Sequence, residues 1–405
     1  MATMLGCSSE PGQEGPEPRH PFGTHAGYWS EGVIFPSNPS RAELDEAVGA
    51  FYREWKRRYF VSGCAAGQAY IKAQTSSGAW IVSEGQGYGM LVAALMAGYE
   101  PDAKSMFDQL YRYYVAHPSV INGNLMSWAQ DGSCKNIDSL GSASATDGDV
   151  DAAYGLLLAD AQWGSDGEID YLGEARRIMG AILASEVQPA NTVLFGDWVT
   201  DSSHPNWDAT RSSDFITAEF KAFAEAAGEA RWNAVVDKAY AMVEYLQAVF
   251  APQTGLLPDF IVDVSGAAPR PAPPNYLEGE NDGRYSYNAC RTPWRLATDF
   301  LVSGDARSRA AIRQLNAWVR DATGGDPQAI TSGYDLDGTA LNSDVEAGFI
   351  APFMVAAMVE PESGTNQPWL DALWDEVASR PAEEYYSDSV KLLCMLVTSG
   401  NWWTP

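Results

Sequence analysis

Basic residues are scarce in this sequence: 26 Lys and Arg stand against 53 Asp and Glu in 405 residues, a formal charge of −27. That balance argues against a nucleic acid partner, because phosphate contacts need a basic patch. It favours a cationic partner, leaves a neutral one open, and serves solubility in either case. No run of 18 apolar residues occurs, so no segment is expected to span a membrane. Histidine is limited to His20, His25, His117 and His204, which supplies histidine triads and metal sites poorly. The five cysteines, Cys7, Cys64, Cys134, Cys290 and Cys394, form no CxxC pair, so a structural zinc site is not expected. Disulfides would fit an exported chain, but spacing alone does not give their pairing. The GxSxG, GxGxxG and P-loop fingerprints are absent.

Residues 8–21 are polar and rich in Pro, Gly and Glu, and read as part of a flexible leader over 1–27. Met4-Leu5-Gly6-Cys7 has the form of a lipoprotein cleavage remnant without the preceding hydrophobic region. A lipid anchor at Cys7 is therefore a second expectation for this end of the chain.

What the sequence has in quantity is helical periodicity. In 41–60, Leu44, Val48, Phe51, Tyr52 and Trp55 recur every three or four residues and form one apolar stripe. Twelve such segments are expected, near 41–60, 84–99, 102–116, 147–163, 168–186, 213–227, 231–249, 291–303, 305–321, 344–358, 367–379 and 386–399. Short strands are expected only at 65–71 and 79–82. Twelve helices close naturally as six hairpins in two concentric rings, an all-α (α/α)6 barrel spanning 28–405 as one domain. An open solenoid is the alternative, but it would show internal repeats, and none is visible.

Three acidic stretches stand out. In VSEGQGYGM (82–90), Ser83 reads as a helix cap with Glu84 in the first turn. An acid there can simply complement the helix dipole. However, Trp80, Tyr88 and three glycines surround it, and glycines at a helix start cost stability, which points to close approach of a helix or ligand. A Glu among aromatic groups has its proton affinity raised, as a general acid needs. In ATDGDVDAAYGLLLADAQW (145–163), Thr146 or Asp147 reads as a cap, with Asp149 and Asp151 following. A calcium loop fails there, because Ala152 and Leu158 occupy positions that need Gly and Glu. In NYLEGENDGRYSYNACRTPWR (275–295), Glu278, Glu280 and Asp282 lie on a Gly-rich loop ahead of Asn288, Arg291 and Arg295. A solvated acidic loop would look the same.

Together with SEGQGYGM, LMSW (125–128), GLLPDF (255–260), NACRTPWR (288–295) and SGNWWTP (399–405), the 145–163 stretch resembles the motifs of glycoside hydrolase family 8, in order over roughly 25–405. The resemblance implies an (α/α)6 barrel, inversion at the anomeric carbon, no cofactor and a polysaccharide substrate. It places Glu84 as general acid and Asp147 at the cleaved sugar. Many members carry an Asp base where this chain has Asn288. The chain resembles the subfamily of chitosanases and some β-1,3-1,4-glucanases, whose base is a Glu ten residues upstream, here Glu278. A catalytically inactive sugar-binding relative is the alternative that Asn288 raises. Asn288 and Arg291 would orient water or a carboxylate. Asp149, Tyr88, Trp128, Trp198 and Tyr334 are candidate substrate contacts, Trp128 from its motif. For the other aromatics, Trp80 and Trp207 included, core packing competes with sugar stacking. The acidic charge favours polycationic chitosan, with mixed-linkage or β-1,4-glucan close behind. The protein is expected to be a secreted or surface-anchored monomer without a metal ion.

Overall fold

A computed structural model describes residues 17–405 apart from 77, 138 and 362. Twelve α-helices occur among the described residues: α1 (Arg41–Tyr59), α2 (Ser83–Leu95), α3 (Ala103–Ala116), α4 (Thr146–Trp163), α5 (Tyr171–Ser185), α6 (Thr217–Ala227), α7 (Arg231–Phe250), α8 (Thr292–Ser303), α9 (Ala306–Ala322), α10 (Ala347–Ala357), α11 (Asn366–Ser379) and α12 (Tyr385–Thr398). Each matches an expected segment to within about four residues at either end. The even-numbered helices touch in sequence, α2 to α4 to α6 to α8 to α10 to α12 and back to α2, closing an inner ring. The odd-numbered helices pack outside it, as α3 does on α2, α5 on α4 and α9 on α8. This is the (α/α)6 barrel.

Composition sorts the two rings. Every residue of α10, AGFIAPFMVAA, is buried, and only Glu84 of α2 is not. Helices walled on all sides carry no polar face. In α1 and α9 the buried residues form a single stripe, and charged residues fill the rest. The glycines at the start of α2 have a packing reason. A Cβ on Gly87 would lie 2.7 Å from Cβ of Asp151, and one on Gly148 would lie 2.9 Å from the Glu84 nitrogen. The two helices can therefore cross with backbones nearly touching, which brings Glu84 beside Asp147.

Short strands bridge the helix ends. β1 (Phe60–Ser62) pairs with β2 (Ala69–Ile71), and β3 (Ile81–Val82) with β4 (Ala129–Gln130), all antiparallel. β5 (Ala209–Arg211), β6 (Phe260–Val262) and β7 (Arg270–Pro271) form a third small antiparallel sheet. Cys64 and Cys134 form a disulfide that links two loops 70 residues apart in sequence.

Residues 1–16, with Cys7 and the lipid anchor expected there, lie outside the described residues. Within the expected leader, the chain is fastened to the barrel from Arg19 onward. The Arg19 and His20 N–H groups donate to Gln162, Phe22 N–H donates to the Ala97 carbonyl, and His20 stacks on Trp403. A polar composition hid these backbone bonds, which need no apolar side chain. The expected caps also differ. Val82 and Ala145 hold the N-cap positions of α2 and α4 without side-chain bonds. Ser83 is already helical, and the Thr146 hydroxyl donates to the Leu194 carbonyl instead.

Candidate active site

Five helix starts of the inner ring deliver the site. Glu84 begins α2, Asp147 begins α4, and Tyr385 and Tyr386 begin α12. Arg211 ends β5 just before the 3-10 turn Ser212–Asp214 that leads into α6, and Arg291 ends the turn Ala289–Arg291 that leads into α8. Glu84, Asp147, Arg211, Tyr385, Tyr386 and Trp128 line one cavity of about 220 Å3. A groove of about 650 Å3 between α7 and α9 is larger, but its Asp237 is paired with Arg307 on the outer ring, so size does not locate the chemistry.

Arg291 is the hub. Its Nη1 donates to Glu84 Oε2 at 2.6 Å and to Asp147 Oδ2 at 2.9 Å, and its Nη2 donates to Asn288 Oδ1 at 3.3 Å. Tyr385 donates its hydroxyl to Glu84 Oε1 at 3.0 Å. Burial pushes the Glu84 carboxyl above the usual range; Arg291 opposes that shift, while Asp147 adds to it. Asp147 goes the other way. Burial would raise it, but Arg211 and Arg291 hold it down at about 2. One acid of the pair is thus biased toward its proton and the other is held ionised. Arg211 also pairs with Asp214 at 3.1 Å, where burial outweighs that pairing and raises the Asp214 carboxyl to about 6.

Glu278 joins this network through Asn288. It is exposed on the loop ahead of α8, and Asn288 Nδ2 donates to its Oε2 at 2.9 Å. The carboxylates of Glu84 and Glu278 are therefore joined by one guanidinium and one carboxamide. Asp282 is a loop organiser: its buried carboxylate accepts the N–H groups of Leu277, Glu278 and Gly279. Glu280 is exposed.

The expected substrate contacts divide. Trp128 lines the cavity, and Asn288 and Arg291 join the acids. Four do not line that cavity: Asp149, Tyr88 and Tyr334 are buried, and Trp198 is half-buried elsewhere. Asp149 is fully buried and accepts from the Tyr114 hydroxyl and the Met126 N–H. One helical position beyond Gly148, it faces away from the cavity that Asp147 lines. Tyr88 is fully buried, with its hydroxyl on Arg291. Tyr334 is buried in a strand-like bridge to Tyr285, its hydroxyl accepting from the Thr331 N–H and its ring edge-on to Trp318. Trp198 packs on Phe195 and His204 in a separate small core beside β6. Core packing claimed the Tyr88 and Tyr334 rings, as it does most large aromatics. Arg211, Asp214, Tyr385 and Tyr386 were not foreseen. The only sequence signal for the first two is the i,i+3 Arg–Asp pair in ATRSSDF, and for the tyrosines a doubled aromatic at a helix start.

The model of Glycosyl hydrolases family 8 matches residues 44–400. A β-glucanase of Niallia circulans is 46% identical over 388 residues, covering 96% of this chain and 92% of its own length. An endoglucanase of Bacillus sp. (strain KSM-330) is 36% identical, covering 95% of this chain and 82% of its own. The apo structure of a β-1,3-1,4-glucanase from Paenibacillus sp. X4 superposes with a TM-score of 0.90 at 45% identity, covering 96% of this chain and all of that one. Match length, barrel and cavity agree, and the chain belongs to glycosyl hydrolase family 8 as a glycoside hydrolase.

Proposed function

We propose that this enzyme is an inverting endo-β-glucanase in which Glu84 is the general acid and Glu278 the general base. The observation that carries the reading is the bridge Glu84–Arg291–Asn288–Glu278, which ties a half-buried, proton-biased carboxyl to an exposed carboxylate. Glu84 gives its proton to the glycosidic oxygen. Glu278 takes a proton from a water attacking the opposite face of the sugar. Inversion needs the carboxyls about 6.5–9.5 Å apart to admit that water. Asn288 holds Glu278 and accepts from two arginines, so it fixes the base without adding a second negative charge. Asp147, ionised and at the cavity wall, accepts hydrogen bonds from ring hydroxyls and favours the distorted sugar.

The substrate is a neutral β-glucan with mixed 1,3-1,4 or 1,4 linkages. Two relatives named for β-glucan hydrolysis at 46% and 45% identity support this. So does the charge inside the site, where Arg211 and Arg291 compensate Glu84, Asp147 and Asp214. A glucosamine ammonium would meet those guanidiniums. The overall charge of −27 favours encounter with chitosan and is the one observation for it as a second substrate. The Cys64–Cys134 disulfide supports export, and a monomer remains the expected state.

A reducing-sugar assay on barley β-glucan, carboxymethylcellulose, chitosan and xylan tests the reading. Barley glucan should be cut fastest. Glu84→Gln should lower kcat by about a thousandfold with KM nearly unchanged. Turnover of chitosan or xylan alone would contradict the substrate, and an active Glu84→Gln enzyme would contradict the acid.

A further inference from the structure

Asp259, in GLLPDF, lines no part of the catalytic cavity and is 5% exposed. Its Oδ1 nonetheless accepts two backbone N–H groups, Ser286 at 2.9 Å and Ala289 at 2.7 Å, which flank Asn288 on either side. Its own backbone adds two more ties. Asp259 N–H donates to the Arg284 carbonyl at 2.7 Å, and its carbonyl accepts from Ser212 N–H at 3.1 Å, next to Arg211. The following residue, Phe260, pairs with Arg211 in the sheet and donates its N–H to the Asp282 carbonyl. Asp282 is the carboxylate that gathers the N–H groups of the Glu278 loop.

A buried carboxyl oxygen that accepts two main-chain donors fixes the turn that carries them. Here those donors bracket the one residue whose carboxamide fixes Glu278. We infer that Asp259 is a positioning residue for the base: through the Ser286–Ala289 turn it sets the Asn288 side chain, and through Asn288 the direction of the Glu278 carboxylate. Asp259 touches no substrate and moves no proton. The inference rests on Glu278 being the base.

A double-mutant cycle on barley β-glucan tests it, with circular dichroism confirming the folded fraction. Asp259→Ala should lower kcat by about tenfold or more with KM nearly constant. Asp259→Asn keeps an acceptor oxygen of the same shape and should recover most of that loss. Because the route runs through Asn288, Asp259→Ala in an Asn288→Ala background should cost no more than about twofold further. Losses that multiply instead, as for two independent structural defects, overturn the inference. If Asp259→Ala does not fold, Asp259→Asn takes its place: its smaller loss should vanish in the Asn288→Ala background, and a loss that persists there overturns the inference. Glu278→Ala, measured in parallel, separates the two readings. An active Glu278→Ala enzyme overturns the base itself, whereas an inactive one with multiplying losses overturns only the role of Asp259.

Discussion

Glu84 and Asp147 share one guanidinium yet titrate in opposite directions. The difference is the number of cations each touches: Asp147 pairs directly with Arg211 as well as Arg291, whereas Glu84 pairs directly with Arg291 alone, feels Arg211 only at longer range, and is raised further by Asp147. The sequence made both acids visible because they stand in motifs at helix starts. It hid their partners, since Arg211 lies 64 residues from Asp147 and arrives through a strand. The same distance problem explains the misplaced aromatics, because no pattern tells a buried tyrosine such as Tyr88 from one lining a cleft. Asn288 provides a residue-scale prediction. It lies between Glu278 and two arginines, so an Asp there would be compensated by Arg211 and Arg291 but would face Glu278 across the present 2.9 Å contact. Asn288→Asp alone should therefore lower activity, since two adjacent carboxylates compete for protons. In a Glu278→Ala background, where kcat is expected to fall by about a thousandfold, the same substitution should restore measurable turnover. The assay is kcat on barley glucan for the four enzymes. No recovery in the double variant would mean that the two positions do not serve one water.

At the scale of elements, all twelve helices were legible, because outer helices such as α1 and α9 carry a buried stripe every three or four residues and inner ones such as α10 are apolar nearly throughout. Their caps were not. No inner-ring helix carries a side-chain cap, whereas Ser40, Asp170 and Asp305 cap outer helices α1, α5 and α9. Several inner starts carry cavity-lining side chains, Glu84, Asp147, Tyr385 and Tyr386 among them, in place of caps. The seven short strands were mostly illegible too, since two or three residues are too few to establish a period. The α2–α4 crossing can be tested directly. A Cβ at position 87 would lie 2.7 Å from Asp151 and 3.0 Å from the Gly148 carbonyl, neither of which can yield without shifting a helix. Gly87→Ala gains helix propensity of about 1 kcal/mol but should lose more to overpacking, roughly 1–3 kcal/mol. The expected net result is a lower thermal midpoint and a larger loss of kcat, because Glu84 is carried on the displaced turn. An unchanged or raised midpoint would show that the crossing is looser than described.

Across the whole molecule, acidic groups buried without a cation shape the response to pH. Asp149 and Glu186 face one another behind the cavity, beside Asp197, Ser144 and Tyr114, and burial raises both carboxyls, Asp149 to about 7. An unfolded Asp releases its proton near 4, so between about pH 4 and pH 7 the native chain holds a proton that the unfolded chain does not. Stability from this pair is present below that window and is lost as pH rises through it. Asp149→Asn keeps an oxygen for Tyr114 and Met126 and removes the titration, so its thermal midpoint should fall less than the wild-type one between about pH 5 and pH 8. Parallel falls would place the proton elsewhere. The disulfide acts on the same global balance; closing a 70-residue loop stabilises by about 4 kcal/mol in the chain-entropy view. These features surround a site in which the proposed acid and base, Glu84 at an inner helix start and Glu278 on the loop ahead of α8, are joined through Arg291 and Asn288. The stereochemistry of the first product reports on that arrangement most directly. Proton NMR of barley β-glucan digestion, recorded before mutarotation, should show the α-anomer of the new reducing end appearing first. A β-anomer appearing first would mean retention, and would contradict a water activated by Glu278 opposite Glu84.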